Sequence, residues 1–376
     1  MHDSVKRNIL LNPGPATTTD TVKYAQVVPD ICPREKEFGL LMTDIRKKLV
    51  RVVHGEDRYT AIPFTASGTG VVEACISSVL PEGKKIFIIN NGAYGKRMIE
   101  IARCYYEETK ILTYEIPWGD YPNVSEIEHI IEKEKDIGVI SVVHHETTTG
   151  MLNPVNEINR IAHLNNIDII VDAMSSYAGI VIDLREDDFD YIISSSNKCI
   201  QGMPGIGFVI CKKEKLERTK DNPRRNYYFN LWHQYRFFED KNQMQFTPPV
   251  QTAYALNQAL NEFFEETGEM RHQRYSESWQ TLIEGLENLN LRFLVSDEQQ
   301  SRLLIAVIEP ENENYIFEEM HDYLFRRGFT IYPGKGAEKN TFRIANIGAI
   351  DKDDITRFLA ALEDYLKSIS FINKYN

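Results

Sequence analysis

Asp172 and Lys198 are the pair whose residue types and spacing could do chemistry in this chain. Asp172 ends the apolar run Ile167-Asp168-Ile169-Ile170-Val171, whose β-branched composition predicts a buried strand; acids at that end of a strand sit where α/β sheets bind ligands. Lys198 closes Ser194-Ser195-Ser196-Asn197-Lys198 after a second short strand, Asp190-Tyr191-Ile192-Ile193, with Gly202, Pro204, Gly205 and Gly207 just beyond. An amine that bonds a cofactor aldehyde and an acid that pairs with a ring nitrogen are what pyridoxal phosphate chemistry requires. Taken singly, the acid also reads as a helix cap and the lysine as a solvated charge. The ordered pair on neighbouring strands is more informative, and it calls for a phosphate site.

Several elements upstream can supply that site. Tyr59 to Thr65 reads as a strand that delivers Ala66-Ser67-Gly68-Thr69-Gly70 to a helix carrying Val71, Val72, Cys75, Ile76, Val79 and Leu80. Free backbone N–H groups and the dipole at such a helix start favour an anion, although Ser and Thr also begin helices merely as caps. The strand Lys85 to Ile89 opens into Asn90-Asn91-Gly92-Ala93-Tyr94-Gly95-Lys96-Arg97, read as a loop in which Tyr94 could stack on a flat ring. The strand Gly138 to Val143 leads to His144-His145-Glu146-Thr147-Thr148-Thr149-Gly150 and a helix started by Asn153-Pro154, with the asparagine as cap and the proline at N1. A metal reading of His-His-Glu is set aside, because adjacent strand residues point to opposite faces and no third ligand cluster lies nearby. The threonines read as hydrogen-bond donors to a cofactor. Four successive strand–helix units thus place polar residues at one sheet edge. Leu10-Leu11-Asn12-Pro13-Gly14-Pro15 reads as a rigid arm turn, and Phe38 to His54 as an amphipathic helix.

At 376 residues the chain is long enough for two domains, the larger built on one sheet. A net charge of −12 argues against nucleic acid or an anionic membrane as partner, so a small anionic substrate would require a local cationic pocket. The basic, aromatic segment Arg218 to Trp232 accordingly reads as a subunit contact or site wall. Five cysteines, an odd number with no CxxC spacing, fit a reducing cytoplasm, and no leader-like or membrane-spanning run is visible. After the helices Val250 to Phe264 and Arg271 to Leu289, the remainder alternates: strand Arg302 to Ile308, helix Tyr315 to Arg327, strands Phe329 to Tyr332 and Thr341 to Asn346, helix Asp351 to Lys367. This predicts a compact α+β lobe.

With these stretches in view, the chain resembles the class V aminotransferases, nearest to the branch acting on 2-aminoethylphosphonate and pyruvate. The likeness runs over nearly the whole chain, through Asn12-Pro13-Gly14-Pro15, Asn91-Gly92-Ala93-Tyr94-Gly95, Glu146-Thr147-Thr148-Thr149-Gly150, Val171-Asp172-Ala173-Met174, Ser196-Asn197-Lys198-Cys199, Arg271-His272-Gln273-Arg274-Tyr275 and Ile331-Tyr332-Pro333-Gly334-Lys335. The resemblance implies the type I pyridoxal phosphate fold: a large mixed-sheet α/β domain over 16–265, and a smaller α+β domain from 1–15 and 266–376. It implies a homodimer. Lys198 matches the lysine bonded to the cofactor and Asp172 the acid on its ring nitrogen. Tyr94 matches the stacking position and Thr147 a hydroxyl near the ring oxygen. Ser67, Gly68, Thr69 and Asn197 match the phosphate side, joined by Thr247 from the other subunit, and Met174 lines the same pocket. Arg343 matches the substrate-binding arginine, with Lys335 as a second charge. Asn12, where many relatives have threonine, and Thr247-Pro248-Pro249, in place of a Ser-Pro-Thr-His version, depart from the pattern. Rival readings are a transaminase of the alanine- or serine-glyoxylate type and a catalytically silent binding module on the same fold. A Rossmann dehydrogenase is disfavoured, since no GxGxxG follows an early strand.

Overall fold

The computed structural model describes residues 5, 7–334 and 340–372. Among them, seven strands form one sheet: β1 (Tyr59–Thr65), β2 (Lys85–Asn90), β3 (Ile111–Glu115), β4 (Ile137–Val143), β5 (Asp168–Asp172), β6 (Tyr191–Ser195) and β7 (Ile206–Lys212). Their order is β1-β7-β6-β5-β4-β2-β3. All run parallel except β7, which is antiparallel to both neighbours, so the carboxyl ends of the other six share one edge. β3 escapes a reading by pattern because it is a half-buried edge strand with no clean alternation.

Both faces of this sheet are covered, which is why its strands are continuous apolar runs. Ile169 and Val171 of β5 pack with α1 (Lys36–Val52) and α4 (Val250–Glu266), whereas Ile170 packs with α2 (Gly68–Val79) and α3 (Ala93–Tyr105) on the other face. Each such fully buried aliphatic side chain contributes about 1.5–3 kcal/mol. At the edge away from the shared carboxyl ends, Asp190 is fully buried and accepts from Lys212 Nζ (2.9 Å) and from the Ile169 amide (3.0 Å). Burial pushes its carboxyl up, but His163, Lys215 and Lys212 outweigh that and hold it at about 2. The start of β6 is thereby tied to the start of β5, and the two strands deliver Asp172 and Lys198 side by side.

A second sheet, β8-β9-β11-β10, is antiparallel throughout and comprises β8 (Arg292–Phe293), β9 (Leu304–Ile308), β10 (Tyr332–Pro333) and β11 (Thr341–Ala345). It packs through Ile305, Val307, Phe342 and Ile344 against α5 (Gly268–Asn288) and α6 (Lys352–Ser368). α6 begins with a capping box formed by Asp351 and Asp354. The stretch expected as one strand from Phe329 to Tyr332 is two. Phe329–Thr330 pairs in parallel with Ile9–Leu10, and the chain changes partner at buried Ile331 before joining β11. Among the described residues no helix is long and apolar enough to cross a membrane.

Candidate active site

A cavity of about 190 Å³ opens at the shared carboxyl edge, lined by Gly68, Thr69, Val72, Tyr94, Arg97, Asp172, Met174, Ser195, Asn197 and Lys198. β5 ends in Asp172, whose carboxylate accepts the Met174 amide at 2.9 Å. The group is 4% exposed, and burial, reinforced by Glu146, raises its pKa to about 6 against the pull of that amide, Arg97 and Lys198. β6 continues through Ser195, whose hydroxyl donates to the Asn197 side-chain oxygen (2.8 Å), into Lys198. Burial pushes the Lys198 amine down to about 8; Arg343 and Arg97 act the same way, partly offset by Cys199 and Asp172.

The start of α2 forms one wall. Its N-cap residue is Ser67, but the Ser67 hydroxyl does not cap the helix, so the anion-binding reading of this helix start gains over the capping one. Ser67 itself is exposed and stands outside the cavity lining, whereas Gly68 and Thr69 are in it. Thr69 Oγ1 accepts from Arg97 Nη1 (3.3 Å), and the Arg97 guanidinium lies 4.9 Å from the Tyr94 ring centroid.

Tyr94 is not in a loop. It is the second residue of α3, because Gly92 and Gly95 start a helix here instead of breaking one. The reason is Glu146. Its buried carboxylate accepts the Tyr94 and Gly95 amides (3.2 and 3.4 Å), capping α3 from another strand, and also the Thr148 amide and hydroxyl (3.1 and 2.5 Å). A Cβ at position 92 would overlap Glu146, so only glycine admits this cap. Of the threonines expected to face a cofactor, Thr148 bonds Glu146 and Thr149 bonds the Glu146 carbonyl (3.4 Å), so both serve the loop itself. Asn153 does not cap the following helix either. Its amide donates to Val143 O (2.8 Å) and pairs with Asn91, while Pro154 takes the N-cap position before Val155–Leu164.

Arg343 on β11 is 1% exposed and reaches across from the second sheet, donating to Thr147 O and Pro333 O at 3.1 Å each. Burial pushes its pKa down, and neighbouring Tyr94 and Glu146 act the other way. Thr147 is buried beside the site, where its carbonyl holds Arg343. Thr247 is exposed and away from the cavity, its carbonyl accepting from Thr65 Oγ1 (3.3 Å). Lys335 lies outside the described residues.

The N-terminal arm is part of the site, not a plain turn. Pro13 O accepts from Lys198 Nζ at 2.5 Å. Gly14 has φ +131°, and a Cβ there would overlap the lysine amine. Arg97, Glu146 and Gly14 are the functional positions that pattern reasoning missed. Only Arg97 carried a signal: once Tyr94 is helical, an i, i+3 spacing puts both on one face. His144 and His145 are buried, with His144 Nδ1 and both His145 ring nitrogens unpartnered, and burial pushes them to about 4 and about 3. Burial thus favours the neutral imidazole at both. Among the described residues no cluster of three or more His, Cys, Asp or Glu is placed to hold a metal.

These groups fit pyridoxal phosphate. A near-neutral amine, a buried carboxylate on the adjacent strand, a tyrosine beside them and a helix N-terminus with an arginine one turn into α3 converge on one cavity of suitable size. Similarity to known proteins agrees. The chain is 40% identical over 359 residues to the 2-aminoethylphosphonate–pyruvate transaminase of Salmonella schwarzengrund, covering 94% of this chain and 96% of that one. It is 39% identical over 357 residues to the protein of the same name from Bacillus cereus, with the same coverage. In fold it resembles an alanine–glyoxylate aminotransferase from Nostoc sp. (TM-score 0.88, 24% identity, 97% and 96% coverage). A pyridoxamine–pyruvate aminotransferase from Mesorhizobium loti is similar too (TM-score 0.87, 20% identity, 98% and 94% coverage). The sequence model for aminotransferase class V matches residues 19–339. A lysine and an acid on adjacent strands, first singled out by spacing, are therefore those of a chain that belongs to the class V aminotransferases, with the type I fold and pyridoxal phosphate as cofactor.

Proposed function

We propose that the protein moves the amino group of 2-aminoethylphosphonate to pyruvate, giving phosphonoacetaldehyde and alanine. The observation that carries this reading is the near full-length identity of 40% to a transaminase of that name. Pyridoxal phosphate, when bound, supplies an aldehyde that amines condense with and a ring that takes up the electron pair left when a substrate carbon loses its proton. Lys198, its amine pushed down to about 8, is partly unprotonated near neutral pH and serves as the base that takes and returns that proton. Asp172 supplies the anion opposite the ring nitrogen. Tyr94 and Met174 line the ring's slot, the Thr147 hydroxyl serves the ring oxygen, and Ser67, Gly68, Thr69 and Asn197 serve the phosphate. Arg343 holds the substrate anion. Its planar fork suits a phosphonate and a carboxylate alike, so one group serves both half-reactions, and carbonyls at Thr147 and Pro333 aim it without using its full donor set.

The working unit in this reading is a homodimer in the cytoplasm. Support for the dimer comes from Thr247, exposed on its own protomer beside Tyr227, Tyr228 and Phe246, where it is free to complete a partner's phosphate site. Support for the compartment comes from five cysteines, all unpaired. The test is a donor panel with purified holoenzyme: 2-aminoethylphosphonate, β-alanine, taurine and L-serine, each against pyruvate and glyoxylate, and L-alanine against glyoxylate. Alanine formation from 2-aminoethylphosphonate and pyruvate should exceed every other pairing by at least about tenfold in kcat/KM. Faster turnover of serine or alanine with glyoxylate would overturn the assignment.

A further inference from the structure

The first two turns of α5 contain a buried cluster that touches both halves of the site. Arg271 is 1% exposed, and its Nη1 donates to Cys199 O at 2.9 Å, the carbonyl next to Lys198. Its Nε donates to Glu266 (2.7 Å), and its guanidinium lies 5.0 Å from the Phe263 ring centroid. One turn on, the Tyr275 hydroxyl accepts from Gln201 Nε2 (2.8 Å) and from the Gly348 amide (3.0 Å). Gln201 closes the turn after Lys198, its amide donating to Lys198 O at 2.9 Å, and sits at φ +69°, a conformation that outside contacts must hold. Gly348 lies just past β11, the strand of Arg343. Arg274 also grips that segment through Gly348 O (2.8 Å) and Ile350 O (2.6 Å), and Asn346 Nδ2 donates to Tyr275 O at 2.9 Å.

We infer that Arg271 and Tyr275 are positioning residues for amino-group transfer: they clamp the turn after Lys198 to the segment following Arg343, fixing the spacing between the reacting amine and the anion-binding guanidinium. An apolar side chain of similar volume would fill the space of Arg271 but take one partner from Glu266, which keeps Arg274 (2.7 Å), so it carries a cost in stability. Such a side chain could not hold the Cys199 carbonyl. Displacing a reacting group by about 1 Å costs on the order of 100-fold in rate, so a clamp on the lysine's own turn acts on kcat. Arg343 keeps its own carbonyl partners when the clamp is cut, so substrate capture is spared.

The inference rests on amino-group transfer at Lys198 but not on which donor is used. Arg271→Met, Arg271→Lys and Tyr275→Phe test it with two readouts. In the holoenzyme, Arg271→Met should lower kcat about 10–100-fold and Tyr275→Phe about 5–10-fold, with KM for the anionic donor within about twofold; Arg271→Lys, which reaches one partner but not both, should fall between wild type and Arg271→Met. In the cofactor-free protein, the pH midpoint for labelling of the Lys198 amine, read by peptide mass spectrometry, should move from about 8 toward the ordinary lysine value of 10.5 as the turn loosens. Should Arg271→Met not fold, the other two variants decide by the same readouts. Folded variants with wild-type kcat and an unmoved labelling midpoint would overturn the inference. Labelling uses no substrate, so a wrong donor assignment would leave that readout standing.

Discussion

The buried Asp172 carboxyl should cost the cofactor-free protein stability as pH rises, because burial favours its protonated form. Its folded-state pKa of about 6 lies above the ordinary 3.8, so the native state holds a proton that the unfolded chain has already lost. Stability therefore falls as pH rises from about 4 to about 6, and at pH 7 the cost is about 2–3 kcal/mol. Asp172→Asn should raise the thermal midpoint of the apoprotein at pH 7 and flatten its pH dependence across that window. The same change should cut turnover about 100-fold or more, since an amide cannot hold a ring proton by charge. An apoprotein that melts as wild type does, or a variant that turns over normally, would each contradict this. Gly14→Ala should act on cofactor retention. The added methyl meets the Lys198 amine at a φ that L residues avoid, so cofactor retention, followed by visible absorbance, should fall at least about tenfold, with circular dichroism unchanged. Retained colour in Gly14→Ala would mean that the arm leaves the lysine free. The Lys198–Asp172 pair was legible because strand pattern and residue type coincide within a short span. The part played by Gly14 was not, because it depends on a contact between residues more than a hundred positions apart.

At the scale of elements, long periodic segments were legible and the ends of elements were not. β1 was read to the residue, and β4 and β5 nearly so, since buried parallel strands write themselves as apolar runs. The start of α3 was misread because Gly92 and Gly95 look like breakers, and the residue that rescues the helix, Glu146, comes from a different strand–helix unit. Asn153-Pro154 carries the signal of a helix cap, yet Asn153 is a strap across Val143 and Asn91, a role set by residues outside its own unit. Glu146 merges three tasks: it caps α3, orders the Thr148 turn and so steadies the Thr147 carbonyl under Arg343. Glu146→Ala strips the acceptor from several buried donors and should cost about 2–4 kcal/mol in urea denaturation, with loss of both cofactor and substrate affinity. A destabilisation below about 0.5 kcal/mol would show that water replaces the carboxylate at no cost.

At the scale of the molecule, element order pointed to a larger unit built on one sheet and a smaller α+β lobe, while the mixed character of the large sheet was implied by the family resemblance. The arm that stitches the first residues to the last lobe was not legible, since two-residue strands carry no periodicity. The dimeric reading is open to a mixing experiment. Chains carrying Lys198→Ala and chains carrying Thr247→Ala, each impaired alone, should regain about a quarter of wild-type activity when refolded together, because about half of all dimers are mixed and one of the two sites in each mixed dimer is intact. Activity that stays at the level of the separate variants, with mixed dimers verified by mass, would rule out sharing of Thr247 across subunits.

Ile9–Leu10 pairs with Phe329–Thr330, and Leu11 O accepts the Ala345 amide at 2.8 Å. The arm is thus synthesised well before the strand it pairs with. At about 5–20 residues per second, the roughly 320 residues between the two strands take on the order of 15–60 s to make. Only for the last part of that interval, the roughly 130 residues from Lys198 to Phe329 or on the order of 7–26 s, can Lys198 and Asp172 already be folded into their sheet while the carbonyl of Pro13 is still absent from the amine. The newborn chain passes through a period in which its most reactive nitrogen lacks its companion, and that period closes only when the arm reaches a strand made about 320 residues after it.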